Sequence, residues 1–200
     1  MDYKKNLATV LEVVVFLFAA FSGFLQRIAP PIQPDASYAV GITSFFVLLV
    51  LLFISALARK AGKGRARKSW IRAGIIALVV AFPLGLAYPW LLSRLTYTYP
   101  PPPEAAVARR VNSWELTETA KEFIKENPGN YSPGQLELNL DYDDIWTASS
   151  LSKARTILLV SYTMLVLSLA TAIFCLLEAN AERPQPVAQR KRKPPKAAQE

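Results

Sequence analysis

The sequence contains no histidine and only one cysteine, Cys175. Without histidine there is no imidazole for acid–base work near neutral pH, no Ser-His-Asp or Cys-His nucleophile and no histidine-bound metal. A lone cysteine excludes an internal disulfide and a thiolate zinc cluster. Cys175 lies within an apolar run and is read as a small packing residue. Carboxylates, lysines and hydroxyls remain, but no motif organises them into a site. The Gly-Lys pair in AGKGRARKS (61–69) lacks the G-x-x-x-x-G-K-[ST] spacing of a phosphate loop and follows an apolar run instead of a strand. LDYDDIW (140–146) brings Asp141, Asp143 and Asp144 together without the glycine and distal glutamate of a calcium loop. The expectation is a non-enzymatic protein with no catalytic residues, no cofactor and no metal.

Charge is nearly absent from four long stretches. Residues 7–25, 39–58, 73–92 and 156–177 each form a block of 19 to 22 mostly apolar residues, in a chain that is 52% apolar overall. At about 1.5 Å of rise per residue, ~20 residues cross the ~30 Å hydrocarbon core of a bilayer. No block has the polar stripe that a helix of a water-soluble bundle shows. The expected fold class is therefore an all-α membrane protein, a four-helix transmembrane bundle. The first block ends in small residues (Ala19, Ala20, Ser22, Gly23), as a cleavable signal peptide does. Its apolar core is longer than the usual ~7–15 residues and contains Glu12, which favours a retained span.

Basic residues crowd the connection between the second and third spans (Arg59, Lys60, Lys63, Arg65, Arg67, Lys68, Arg72) and the tail after residue 179, where Arg190, Lys191, Arg192 and Lys193 are consecutive. By the positive-inside rule both termini and loop 59–72 face the cytoplasm, in a plasma or bacterial inner membrane. The tail, 179–200, is rich in proline and charge and is expected to be disordered. Next to a membrane the partner that suits these segments is anionic lipid headgroups, at about 1 kcal/mol per basic side chain, or a cytoplasmic protein. Nucleic acid is not expected, because no base-reading module accompanies the charge. Ser69 is the expected N-cap of the third helix and Trp70 its interfacial anchor.

Residues 95–152, between the third span and the fourth at 153–178, form the one extramembrane region long enough for its own structure, and are expected to build a small α+β cap. The run Pro100 to Pro103 suggests a polyproline spacer. Asn112 with Glu115 matches a helix N-cap and its third-position carboxylate, and NPG at 127–129 a helix stop. QLELNLDY then alternates, with Leu136, Leu138 and Leu140 on one face, as a half-buried strand does. Asp143 or Asp144 should begin a short helix that brings Ile145 and Trp146 to the membrane interface. The region carries nine acidic residues against Arg109, Arg110, Lys121 and Lys125. It is too small and too polar for an independent core, so it should lie on the bundle or against a second copy of the chain.

Two features lie within the spans 1–94. Glu12, inside the first, costs a few kcal/mol unless paired or neutral; Arg72 at the start of the third is its expected partner, and a proton-sensing or pore-lining role is the alternative. The third span carries Pro83, Gly85 and Pro89, which predict kinks with a close helix approach between them, as static packing or as a hinge. The functional expectation is an oligomeric sensor or assembly subunit that couples the exterior cap to the basic cytoplasmic surface. The alternative is a small channel or pore-forming effector, with Glu12, the third helix and hydroxyls Ser161, Thr163, Ser168 and Thr171 near the pathway.

Overall fold

Runs that are apolar on every face fold as long helices in the structure, a computed structural model that describes residues 15, 19, 23, 25–31, 36–60, 66–99 and 108–181. The elements are α1 (Ala36–Lys60), α2 (Ala66–Arg94), β1 (Thr96–Tyr99), β2 (Ala108–Val111), α3 (Glu118–Glu126), α4 (Pro133–Leu136), α5 (Tyr142–Ile145) and α6 (Ala148–Ala181). Three of them, α1, α2 and α6, are long and apolar enough to cross a membrane. The first apolar block falls mostly outside the described residues, so they hold three such helices and not the four expected. Its end is described: residues 25–28 are helical, and Ala29 and Pro30 are buried against the rest.

Helix α6 is central, with α2 running along it and α1 also packed on it. Leu158, Tyr162, Leu165, Val166, Ala170 and Phe174 are buried at three- and four-residue spacings, the stripe that one helix face presents. The outward faces are just as apolar: Phe45 and Phe53 on α1 and Val79, Phe82 and Leu86 on α2 are each at least 59% exposed. In water such side chains would each forgo about 1.5–3 kcal/mol of burial, whereas lipid solvates them.

Helix α2 departs from its expected details at two points. It begins at Ala66, so Ser69 lies within the first turns and is not the N-cap. Trp70 is buried edge-on against Phe174, with centroids 6.0 Å apart at 83°, instead of facing an interface. The helix runs through both Pro83 and Pro89, whose rings are exposed. The close approach falls at Gly74, where an added Cβ would sit 3.3 Å from Leu176 Cγ; at Gly85 the nearest atom, Leu165 Cδ1, would be 3.9 Å away.

Residues 95–147 form a cap with a two-stranded antiparallel sheet, in which Thr96 pairs with Val111 and Tyr99 with Ala108. The proline run therefore lies between two paired strands, and residues 100–107 themselves are outside the described ones. The expected strand over 135–142 is absent. Ser132 N–H donates to Gln135 Oε1 at 2.8 Å and Pro133 occupies the first turn, so a local capping box starts α4 and the chain continues in turns through Leu140. Leu136 and Tyr142 are buried, Leu140 is half-buried and Leu138 is 65% exposed, a helical pattern and not a strand's. Asn112 is not an N-cap either: its N–H donates to Leu95 O at 2.7 Å, and Thr117 caps α3 through Ala120 N–H at 3.2 Å. Residues 115–117 are engaged elsewhere, with Leu116 bridged to Trp146 and Thr147 N–H donating to Glu115 O at 3.0 Å. A short helix does form at α5, but it delivers Ile145 and Trp146 into the core. Val111, Leu136, Ile145 and Trp146 share one buried cluster with Leu92, Leu151 and Leu158 of the long helices.

Candidate functional site

β1 follows α2 after Leu95 and pairs with β2, with Tyr97 opposite Arg110. Arg110, on β2, lies between two aromatic rings, 5.0 Å from the Tyr99 centroid and 5.2 Å from that of Tyr142. Its guanidinium pairs with Glu137, whose side chain is only 4% exposed, and Tyr97 donates to the other Glu137 oxygen at 2.7 Å. Tyr142 in turn donates to Val111 O at 2.9 Å. A buried carboxylate is thereby neutralised by one cation and one hydroxyl, while two ring faces stabilise the cation. Burial pushes the Tyr97 hydroxyl up to about 12, with the neighbouring Tyr142 adding to the shift and Arg110 opposing it. Burial also raises Tyr142, against the opposing pull of Arg155 and Arg110. Both hydroxyls stay protonated near neutral pH and act as hydrogen-bond donors.

The outer surface of the cap is different in character. Glu115, Glu118, Glu122, Glu126, Asp141, Asp143 and Asp144 are all exposed. Of these, Glu118 pairs with Lys121 at 2.7 Å and Glu115 accepts from Thr147 Oγ1 at 3.0 Å. Asp141, Asp143 and Asp144 stay on the surface around α5, and among the described residues no group of three or more acidic or cysteine side chains is placed to hold a metal ion. Such a surface attracts cationic partners and is repelled by anionic headgroups.

A second set of polar contacts lies between the long helices. Tyr88 on α2 and Tyr162 on α6, each at most 1% exposed, have ring centroids 5.8 Å apart. Tyr88 donates to Ile28 O at 2.5 Å and Tyr162 to Leu25 O at 3.2 Å. Thr43 on α1 and Thr163 on α6 share a hydrogen bond of 3.0 Å, and Ser168 donates to Met164 O within its own helix. The hydroxyls of Thr163 and Ser168 are thus used in helix contacts.

The residues singled out in the sequence are scattered across the molecule. Glu12, Lys63, Arg65 and Arg190, Lys191, Arg192 and Lys193 lie outside the described residues. Arg59 and Lys60 close α1, Arg67 lies in the first turn of α2, and Lys68 and Arg72 are exposed on α2. Leu136 and Trp146 belong to the core of the cap, close in sequence to Glu137 and the α6 start. Tyr88, Tyr97, Arg110, Glu137 and Tyr162 carry the geometry and match no motif, since they contact each other across 27 to 74 residues of sequence. Comparison with protein-family models, with curated proteins and with solved structures finds no match to this chain.

Proposed function

We propose that the chain is a non-enzymatic, multi-pass membrane subunit, a sensor or assembly component, in which engagement of an acidic cap on one face is transmitted to basic segments on the other. The charge distribution supports this orientation: carboxylates cover the cap, while Arg59, Lys60, Arg67, Lys68 and Arg72 cluster where α1 ends and α2 begins. The observation that carries the reading is the backbone hydrogen bonding that joins the cap to the helices. Leu95 N–H donates to Leu91 O at 2.8 Å, Asn112 N–H to Leu95 O, and Leu151 N–H to Thr147 O at 3.0 Å, so helical hydrogen bonding passes straight into the cap at both seams. Thr96 Oγ1 adds a bond to Leu92 O at 2.5 Å. A cap joined this way and sharing its core with two long helices cannot tilt without moving them.

The native thiol provides the test. Cys175 is 1% exposed and lies beside Gly74, at the end of α2 and α6 remote from the cap. Glu137→Ala leaves the Arg110 charge without its carboxylate and should loosen the cap. If the cap and spans are coupled, thiol labelling of Cys175 in lipid vesicles should rise several-fold in that variant. A cap whose β1–β2 amides exchange faster while Cys175 keeps its wild-type labelling rate would contradict the reading.

A further inference from the structure

The last carbonyls of any helix lack partners within it, and in a bilayer there is no water to supply them. The helical segment that ends at Ile28 meets this problem inside the bundle. Tyr88 precedes the charged end of α2 at Arg94 by six residues, and Tyr162 follows Arg155 by seven. At about 1.5 Å per residue, both hydroxyls lie roughly 10 Å inward of those charges. They are the groups that accept the burden: Ile28 O is bonded by Tyr88 and Leu25 O by Tyr162. Phenylalanine would fill the same space, so what tyrosine adds at these two buried positions is the donor. The hairpin lies close above. β1 packs on α2 and β2 on α6, and Asn112, just after β2, is bonded to Leu95 at the end of α2.

We propose that Tyr88 and Tyr162 form a latch that fixes the end of the first helical segment inside the bundle, and that the β1–β2 hairpin is seated on this latch so that loosening the cap releases it. The proposal rests on the coupling described above and names the place where it acts. Both tyrosines are positioning residues: one from each of the two helices that carry the cap, each holding a carbonyl of the segment that precedes α1.

The test uses the full chain in phosphatidylcholine–phosphatidylglycerol vesicles, with Cys175→Ala and Ala29→Cys, because Ala29 is 6% exposed next to the latched carbonyls. Tyr88→Phe and Tyr162→Phe should each raise the thiol-labelling rate at least about fivefold, the scale set by one lost hydrogen bond. Tyr38→Phe, at a 55% exposed position at the start of α1, should leave it unchanged. An unaltered rate in the double phenylalanine variant, with wild-type circular dichroism, overturns the latch. Glu137→Ala should also raise the rate. If only the phenylalanine variants do so, the latch stands and the seating of the cap on it is wrong; if only Cys175 responds to Glu137→Ala, the coupling stands without the latch.

Discussion

Glu137 looks unremarkable in QLELNLDY, one of two polar residues between leucines, yet its side chain is 4% exposed and holds the cap together. Removing either member of a buried pair strands the other, so Glu137→Ala and Arg110→Ala should each cost about 2–4 kcal/mol of cap stability, less for Glu137→Ala, which strands only the 34% exposed Arg110. Hydrogen exchange at the β1–β2 amides reads this loss. Tyr97 adds a pH dependence of known sign. Its folded hydroxyl is held up to about 12 against 10.0 in the unfolded chain, chiefly by burial, so the folded cap holds that proton more tightly. Its contribution is complete below pH 10 and is lost as pH rises through 12, and Tyr97→Phe should shrink that alkaline loss. The two glycines of α2 should also separate. Gly74→Ala forces Leu176 and Cys175 aside and should destabilise by about 1–2 kcal/mol, whereas Gly85→Ala meets only an ordinary contact and should be neutral or stabilising. Glu137, Arg110, Tyr97 and Gly74 are not legible as sites, because each acquires its role from a partner distant in sequence.

Elements were legible where one signal dominated. The apolar blocks at 39–58, 73–92 and 156–177 fall within α1, α2 and α6, since length and unbroken hydropathy leave little else for them to form. The helix stop at Asn127 also falls where NPG places it. The cap misled because two signals competed. Alternation in 135–142 predicts a strand, but Ser132, Pro133 and Gln135 commit the backbone to a turn of helix first, and a strand with no partner edge has nothing to stabilise it. The helix start was read at Asn112 for a similar reason: its local capping pattern is real, but the pairing of 115–117 with 145–147 occupies the same backbone groups. Proline within α2 gives a test at this scale. Pro83 is exposed and the helix continues on both sides of it, so Pro83→Ala should leave Cys175 labelling unchanged if the ring is only a packing feature, and should slow it if Pro83 is the weak point of a hinge.

At the scale of the whole molecule, the account rests on two opposite charges held apart by long apolar helices that share a core with the cap. The measurement that bears most directly on the account is side-specific labelling in sealed cells, with Cys175→Ala as background and a single thiol introduced by Glu126→Cys in the cap or by Lys68→Cys near the start of α2. The account predicts that a membrane-impermeant maleimide reaches the first thiol from outside and the second only after the membrane is opened. Labelling of both from the same side would contradict it.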